Sequence, residues 1–234
     1  MEVNYQNIKV IGFDADDTLW VNETYFREAE KNFTNLLSQY ETPNKIDQEL
    51  FRMEMDNLPL YGYGVKAFTL SMVESALELS NYNISTKTIE AILNIGKDML
   101  NKPVELLEGV EEVLKVISKK YRLILATKGD LLDQEQKLEK SGLTDYFHHI
   151  EVLSDKKEAN YSKLLNHLDI NPSEFLMIGN SLKSDILPLV NIKAHAIHVP
   201  FHTTWAHEEV TEEETNGKNY KTINSLTSLL KLLN

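Results

Sequence analysis

Short runs of apolar, often β-branched residues recur along the chain and are separated by segments with helical spacing. The runs occupy residues 8–13, 122–126, 150–153, 175–178 and 195–199. Continuous apolar runs of this length are typical of parallel strands that are buried on both faces. Because the predicted strands and helices alternate, the pattern favours an α/β fold. Its Rossmann-like, mostly parallel sheet would carry helices on both faces.

The segment 21–100 breaks this alternation. It contains no convincing strand pattern, and its apolar residues recur at the spacing of amphipathic helices. Pro43, Pro59 and the segment 61–64, YGYG, are expected to separate these helices, and Pro103 to mark the return to the sheet domain. The predicted organisation is an α/β core of residues 1–20 and 101–234, interrupted after the first strand by a helical domain of residues 21–100.

The charge and composition of the chain narrow the possible functions. Its 234 residues include 24 Lys and Arg against 36 Asp and Glu, a formal net charge of -12. This balance argues against nucleic acid and against an anionic membrane, since both require clustered basic residues. Cysteine is absent, which excludes disulfides and thiolate chemistry and fits a reducing compartment. The polar start and the lack of a membrane-length apolar run predict a soluble, cytoplasmic protein.

Three carboxylates, Asp14, Asp16 and Asp17, directly follow the first predicted strand. In an extended chain Asp14 and Asp16 project to the same side, roughly 6 to 7 Å apart. Ligands of parallel sheets bind beyond the carboxyl ends of the strands, so this pair can flank a small reacting group. Clustered carboxylates repel one another, and a hard divalent cation such as Mg2+ relieves that repulsion. A lone pair of this kind is nevertheless more often a turn or helix cap.

Polar residues also follow three later predicted strands, at the same expected edge of the sheet. Thr127 and Lys128 follow the second strand, Lys156 and Lys157 follow the third, and the segment 179–185, GNSLKSD, follows the fourth. Each feature is weak by itself, because a lone lysine is usually a surface charge. Because all of these segments follow strand ends, a lysine after the third strand can bring an ammonium group to the same edge as the first carboxylates.

Taken in order, these features resemble the motifs of the haloacid dehalogenase-like hydrolase superfamily. The segment 14–18, DADDT, is similar to its first motif, Thr127 to its second, a lysine after the third strand to its third, and the segment 179–185 to its fourth. The helical segment after the first strand resembles the subclass that carries an α-helical cap. The resemblance implies a Mg2+-dependent phosphatase that acts on a small phosphorylated metabolite through an aspartyl-phosphate intermediate.

The resemblance also implies a role for each matching residue. Asp14 would be the nucleophile, Asp16 the general acid and base, and Lys156 the catalytic lysine. The residues implied to bind phosphate are Thr127, Lys128 and Thr18, and those implied to bind the metal are Asp14, Asp16 through its backbone carbonyl, Asp185 and Asn180. The chain departs from the family pattern at two places. Asn180 stands where many members carry a second carboxylate, and Lys156 is followed by Lys157 rather than by the usual proline.

Other functions fit parts of this pattern. A phosphomutase would retain both aspartates, and a 2-haloacid dehalogenase would share the fold, although a halide leaving group does not need the acid at Asp16. A signalling receiver module would lack the helical insertion. A non-catalytic regulator would keep the fold without the activity.

Two further groups of polar residues are weaker candidates. The four histidines His195, His198, His202 and His207 suggest zinc, but residues i and i+3 of a strand face opposite sides and no cysteine accompanies them. The acidic stretch 208–214 is expected to be a solvated surface or loop. Neither group changes the main prediction.

Overall fold

The computed structural model describes residues 5–233, and this part of the chain contains a six-stranded sheet. The strands are β1 Val10–Phe13, β2 Arg122–Lys128, β3 His149–Leu153, β4 Phe175–Gly179, β5 His195–His198 and β6 Lys221–Thr222. Their order is β3-β2-β1-β4-β5-β6, and every neighbouring pair is parallel. The predicted α/β fold with a parallel sheet is confirmed. Strand β6 was not predicted, because two exposed residues carry no periodic signal.

Helices connect the strands and form the inserted segment. The α-helices are α1 Glu23–Leu37, α2 Pro43–Tyr61, α3 Val65–Leu79, α4 Thr86–Asn101, α5 Val110–Ile117, α6 Leu131–Lys140, α7 Glu158–His167, α8 Leu187–Asn191, α9 Glu212–Thr215 and α10 Leu229–Leu232. The expected break at Pro59 is wrong, because α2 continues through this residue and ends at Tyr61, with Gly62 as its C-cap. Within residues 5–233, no helix combines the length and apolar character that crossing a membrane requires.

The sheet carries a hydrophobic core on each face. Successive residues of β1 point to opposite faces, so Ile11 and Phe13 join one core and Val10 joins the other. Helices α5, α6 and α10 pack on the first face, and α7 and α8 pack on the second. Both faces of the central strands are therefore buried, as their continuous apolar sequence predicts.

The register of the sheet aligns the carboxyl ends of its central strands. Phe13 at the end of β1 lies opposite Leu125 of β2 and Ile178 of β4. Lys128 at the end of β2 lies opposite Leu153 at the end of β3. The loops that follow four strands consequently begin at one edge of the sheet, where a parallel sheet binds its ligands.

The chain divides into two compact units. The first comprises Met1–Glu23, Val104–Lys128 and Glu135–Asn234, and the second comprises Thr24–Pro103 and Gly129–Gln134. The second unit contains α1 to α4 around its own core, whose largest fully buried members are Phe33, Leu37, Ile46, Met72 and Ile92. The expected domain boundaries and the cap role of the helical segment stay predictions.

Candidate active site

Asp14 is the first residue after β1 and is held from two directions. Its backbone N–H donates to the Ile178 carbonyl at 2.9 Å, which continues the hydrogen bonding between β1 and β4. The Thr18 hydroxyl donates to Asp14 Oδ2 at 3.1 Å and accepts from the backbone N–H of Asn180 at 3.1 Å. Thr18, predicted to bind phosphate, therefore contacts the carboxylate of Asp14 and fixes its orientation.

Lys156 lies between two buried carboxylates. Its Nζ atom is 2.5 Å from Asp14 Oδ1 and 2.7 Å from Asp185 Oδ1. Only 3% of Lys156 and 1% of Asp185 is exposed. The structure thus brings together residues from the ends of β1, β3 and β4. Lys157, the other lysine considered, is exposed and pairs with Asp155.

Burial and mutual repulsion dominate the electrostatics of this cluster. Burial raises the pKa of Asp14 to about 7, Asp185 adds to the rise, and Lys156 opposes it. Burial lowers the pKa of Lys156, but Asp14 and Asp185 together outweigh burial and hold that pKa above its ordinary value. When all three groups are ionised, two negative charges face one positive charge. The cluster then carries a net charge of one minus, which favours binding of an additional cation.

Asp185 can reach the cluster because β4 ends at a glycine, Gly179, which leaves room for its side chain. Asp185 lies in a single wide turn with π-helical hydrogen bonding, Leu182–Ile186, and such turns are common at functional sites. The backbone N–H of Ser181 donates to Asp185 Oδ2 at 3.0 Å. A Cβ atom on Gly179 would lie only 2.3 Å from the Asp185 carboxylate. No other residue type fits at this strand end while Asp185 keeps its position.

The Asp16 carboxylate is held by two donors that the sequence did not identify. Trp20 Nε1 donates to Asp16 Oδ1 at 2.8 Å, and Lys137 Nζ donates to the same oxygen at 3.0 Å. Lys137 Nζ also donates to Asn22 Oδ1 at 2.9 Å. Trp20 could have been suspected, since it follows the acidic segment directly. Lys137 lies 121 residues away on α6, and its sequence context gives no such signal.

Asp17, the third carboxylate, has a structural role. Its φ is 61°, in the left-handed region that Asp tolerates better than most residues. Its Oδ1 accepts from the backbone N–H of Asn22 at 2.8 Å and its Oδ2 from that of Glu23 at 2.9 Å, at the start of α1. Burial raises the pKa of Asp17 to about 8, against the effect of these bonds. The acidic segment therefore has two roles, since Asp14 and Asp16 are candidate catalytic residues and Asp17 stabilises the start of α1.

Asn180 faces a group of oxygen atoms. One end of its side-chain amide lies 3.2 Å from each of three oxygens, which are Thr18 Oγ1, Asp14 Oδ2 and the Asp16 backbone carbonyl. With the amide nitrogen at this end, its two N–H groups have three acceptor oxygens within hydrogen-bond distance. The Asp14 carboxylate, the Asp16 backbone carbonyl and the side-chain amide oxygen of Asn180 are of the oxygen types that Mg2+ prefers. These oxygen donors fit a hard divalent cation.

Lys128 pairs with a glutamate from the loop after β5. Its Nζ donates to Glu208 Oε1 at 2.6 Å and to Ser184 Oγ at 2.8 Å. Glu208 also accepts hydrogen bonds from the hydroxyls of Ser181 and Ser184. Burial tends to raise the pKa of Glu208, but Lys128 and the two serines lower it to about 2. The side chain of Glu208 is only 12% exposed. This residue thus differs from the solvated surface expected for the stretch 208–214.

The remaining candidate residues lie as follows. Thr127 is almost fully buried in the penultimate position of β2. Nε2 of His198 is 3.0 Å from the Asn180 carbonyl oxygen. In the described part of the chain, no three side chains of His, Cys, Asp or Glu form a group that would hold a metal ion. A cation beside Asp14 and Asp185 would thus depend on amide, carbonyl and water oxygens as well.

The protein has an α/β fold with its candidate site at the carboxyl edge of a parallel sheet, and comparison with known proteins gives its family. A family model described as haloacid dehalogenase-like hydrolase matches residues 8–192. The chain belongs to this family. It is also similar to a solved haloacid dehalogenase-like family hydrolase from Xanthomonas campestris. The two are 38% identical with a TM-score of 0.85, over 97% of this chain and 92% of that one.

Two curated relatives carry more specific names. The chain is 24% identical to N-acylneuraminate-9-phosphatase from Homo sapiens over 190 residues, which cover 76% of this chain and 77% of the relative. It is 26% identical to glyceraldehyde 3-phosphate phosphatase from Pyrococcus furiosus over 200 residues, which cover 80% of this chain and 78% of the relative. Both names describe removal of phosphate from a small molecule.

Proposed function

We propose that this protein is a Mg2+-dependent phosphatase that hydrolyses a small phosphorylated metabolite through an aspartyl-phosphate. The observation that carries the proposal is the position of Lys156 between Asp14 and Asp185 at the carboxyl edge of the sheet. The names of the curated relatives support a phosphate ester as the substrate.

In the first step, an Asp14 carboxylate oxygen attacks phosphorus. A bond from this oxygen to phosphorus forms while the bond from phosphorus to the ester oxygen breaks. Asp16 gives its proton to the departing oxygen, which leaves as an alcohol, and Asp14 carries the phosphoryl group. The hydrogen bonds of Asp14 to Thr18 and to the β4 backbone hold the attacking group in place.

In the second step, water attacks the phosphorus of the aspartyl-phosphate. Asp16, now ionised, takes a proton from that water as the new bond from oxygen to phosphorus forms. The bond from phosphorus to the Asp14 oxygen breaks, which releases inorganic phosphate and restores the carboxylate. Each group returns to its starting protonation state after one turnover.

Positive charge is needed because a phosphate dianion approaches a cluster that carries a net charge of one minus. The oxygens of Asp14, the Asp16 carbonyl, Asp185 and Asn180 would hold Mg2+, which supplies charge neutralisation for the attacking carboxylate and the phosphate. With Mg2+ bound, the net charge of the cluster would change from one minus to one plus. Lys156 then keeps its ammonium group beside the transferred phosphoryl oxygens, and the Thr127 hydroxyl supplies a further donor.

The leaving group separates this proposal from the other reactions of the family. A halide departs without a proton, whereas an alkoxide needs one, and the carboxyl group of Asp16 would provide it. A phosphomutase would transfer the phosphoryl group to a second substrate hydroxyl rather than to water. A non-catalytic regulator would show no turnover.

The test is hydrolysis of p-nitrophenyl phosphate, followed by a panel of phosphorylated sugars, sugar acids, trioses and nucleotides. We expect Mg2+-dependent phosphate release that falls at least about 1,000-fold in Asp14→Asn, because an amide is not a competent nucleophile. The exposed Asp145→Asn variant serves as the matched control and keeps its activity. Full activity of folded Asp14→Asn, or turnover that is insensitive to Mg2+ removal, would refute the proposal.

A further inference from the structure

Lys137 lies beside Asp16 and has no part in the two steps described above. Its side chain is 19% exposed, and its Nζ bridges Asp16 Oδ1 at 3.0 Å and Asn22 Oδ1 at 2.9 Å. Lysines are ordinarily solvated, and ordering a long side chain costs rotamer entropy. Bonds to two acceptors offset that cost and place this ammonium at one defined point.

The same Asp16 oxygen receives a second donor from a different element. Trp20 Nε1 is 2.8 Å from Oδ1, and the indole ring is almost fully buried, with 1% exposed. One donor belongs to the turn after β1 and the other to α6. Two donors from separate elements restrict both the side-chain rotamer of Asp16 and the rotation of its carboxyl group.

A proton donor is useful only within hydrogen-bond reach of the atom that receives the proton. A displacement of about 1 Å can reduce a rate about 100-fold. Contacts that keep Asp16 in place therefore affect the rate of proton transfer, even though Lys137 and Trp20 take no part in bond breaking.

We propose that Lys137 is a positioning residue that, together with Trp20, holds the Asp16 carboxyl group in the orientation required for proton transfer. This inference rests on the proposed phosphatase function. Lys137 acts through Asp16 and does not itself contact the reacting atoms. The juxtaposition that supports the inference is the ammonium of α6 on the same carboxylate oxygen as the buried indole N–H.

The chemistry of the leaving group provides a selective readout. In the first step the proton moves from Asp16 to the ester oxygen while the bond from that oxygen to phosphorus breaks. The alkoxide of glycerol phosphate requires this proton, whereas dinitrophenolate is stable without it. The constant kcat/KM reports the steps up to departure of the alcohol. Misplacement of Asp16 should therefore lower kcat/KM much more for glycerol phosphate than for dinitrophenyl phosphate.

The experiment compares Lys137→Met, Lys137→Arg and the exposed control Lys140→Met of the same helix, with Mg2+ and both esters. For Lys137→Met we expect kcat/KM to fall about 10- to 100-fold with glycerol phosphate. The same constant should fall less than about threefold with dinitrophenyl phosphate, which does not depend on the acid. Lys137→Arg, which keeps an N–H donor and the charge, restores most of the loss, and Lys140→Met matches the parent protein.

Circular dichroism and thermal unfolding establish whether each variant is folded. If Lys137→Met does not fold, Lys137→Gln is measured in the same way. Equal losses with both esters, no loss with either, or no rescue by arginine would overturn the inference. Failure of the proposed function looks different, since the parent protein would then hydrolyse neither ester or Asp14→Asn would remain active.

Discussion

Lys156 Nζ lies 2.5 Å from Asp14 Oδ1, and this ion pair has almost no contact with solvent. Replacing the lysine by methionine would leave the Asp14 and Asp185 carboxylates buried without a positive partner. Breaking a buried pair in this way typically costs about 3 to 5 kcal/mol. We therefore expect Lys156→Met to lower the free energy of unfolding by this amount in chelator, as measured by urea denaturation.

The matched control for this variant is Lys157→Met. Lys157 is exposed and forms a surface ion pair with Asp155, so its loss should change the free energy of unfolding by no more than about 0.5 kcal/mol. Mg2+ should stabilise Lys156→Met more than the parent protein, because the ion would neutralise the orphaned carboxylates. Equal stability of the two lysine variants in chelator would contradict this prediction.

Gly179→Ala should weaken the site through Asp185. The added Cβ would lie 2.3 Å from the Asp185 carboxylate, so this side chain must move. Overpacking of this kind costs about 1 to 3 kcal/mol. Movement of a proposed metal ligand should also weaken Mg2+ binding about tenfold or more by isothermal titration calorimetry.

Gly12→Ala is the matched control for overpacking. Its Cβ would lie 2.6 Å from the Phe175 ring, inside the core rather than at the site. It should lower the free energy of unfolding by a similar amount while leaving the Mg2+ affinity of the folded protein unchanged. Equal losses of Mg2+ affinity in the two glycine variants would show that the effect is not specific to Asp185.

Asn180→Asp should tighten Mg2+ binding. The side-chain amide lies 3.2 Å from Asp14 Oδ2 and from the Asp16 carbonyl, so a carboxylate here adds a negative ligand to an oxygen-rich group. Affinity for hard cations rises with the number of charged ligands, and we expect a gain of about tenfold by calorimetry. Without metal, the added repulsion should lower the melting temperature.

The exposed Asn94→Asp variant controls for the change in net charge. It should alter neither the Mg2+ affinity nor the melting temperature in chelator. An Asn180→Asp variant that binds Mg2+ more weakly than the parent protein would place the ion elsewhere.

Glu208 should contribute to stability at neutral pH and lose that contribution in acid. Its pKa falls from the ordinary 4.5 to about 2 in the folded protein. The stabilisation is therefore complete above about pH 4.5 and disappears as the pH falls through 2. We expect the difference in unfolding free energy between the parent protein and Glu208→Gln to be about 2 to 3 kcal/mol near pH 6 and to shrink towards pH 2.

Glu213→Gln is the control for this pH series. Glu213 is exposed in the same acidic stretch, so its substitution should have a small effect at every pH. Urea denaturation between pH 2 and pH 7 gives the required free energies. A difference for Glu208→Gln that does not depend on pH would contradict the assigned role of its charge.

The main features of the fold follow from the sequence because they depend on local periodicity. Buried parallel strands read as apolar runs, and residues directly after such runs must lie at the carboxyl edge of the sheet. That rule placed the segment 179–185 at the same edge as Asp14, and the family resemblance then singled out Asp185, which lies 171 positions after Asp14 in the chain. The family assignment and the hydrolase class are confirmed by the comparisons.

Other features depend on tertiary packing that no local pattern reports. The choice between Lys156 and Lys157 depends on which side chain of an irregular loop turns inward. The contact of Lys137 with Asp16 depends on the position of α6, whose Leu138 joins the same hydrophobic core as β1. Glu208 belongs to an acidic stretch whose composition predicts exposure to solvent. Its ion pair with Lys128 is evident only in the folded structure.

The Asp14–Lys156 pair joins residues that are 142 positions apart, and Lys156 precedes Asp185 by 29. A ribosome releases the chain from its amino end, so the acidic segment emerges long before the ammonium group that balances it. These carboxylates must stay hydrated while most of the polypeptide is still being made. The charge-balanced cluster therefore assembles late in synthesis, after translation has passed residue 185, and a shorter chain lacks one of the two carboxylates that Lys156 contacts.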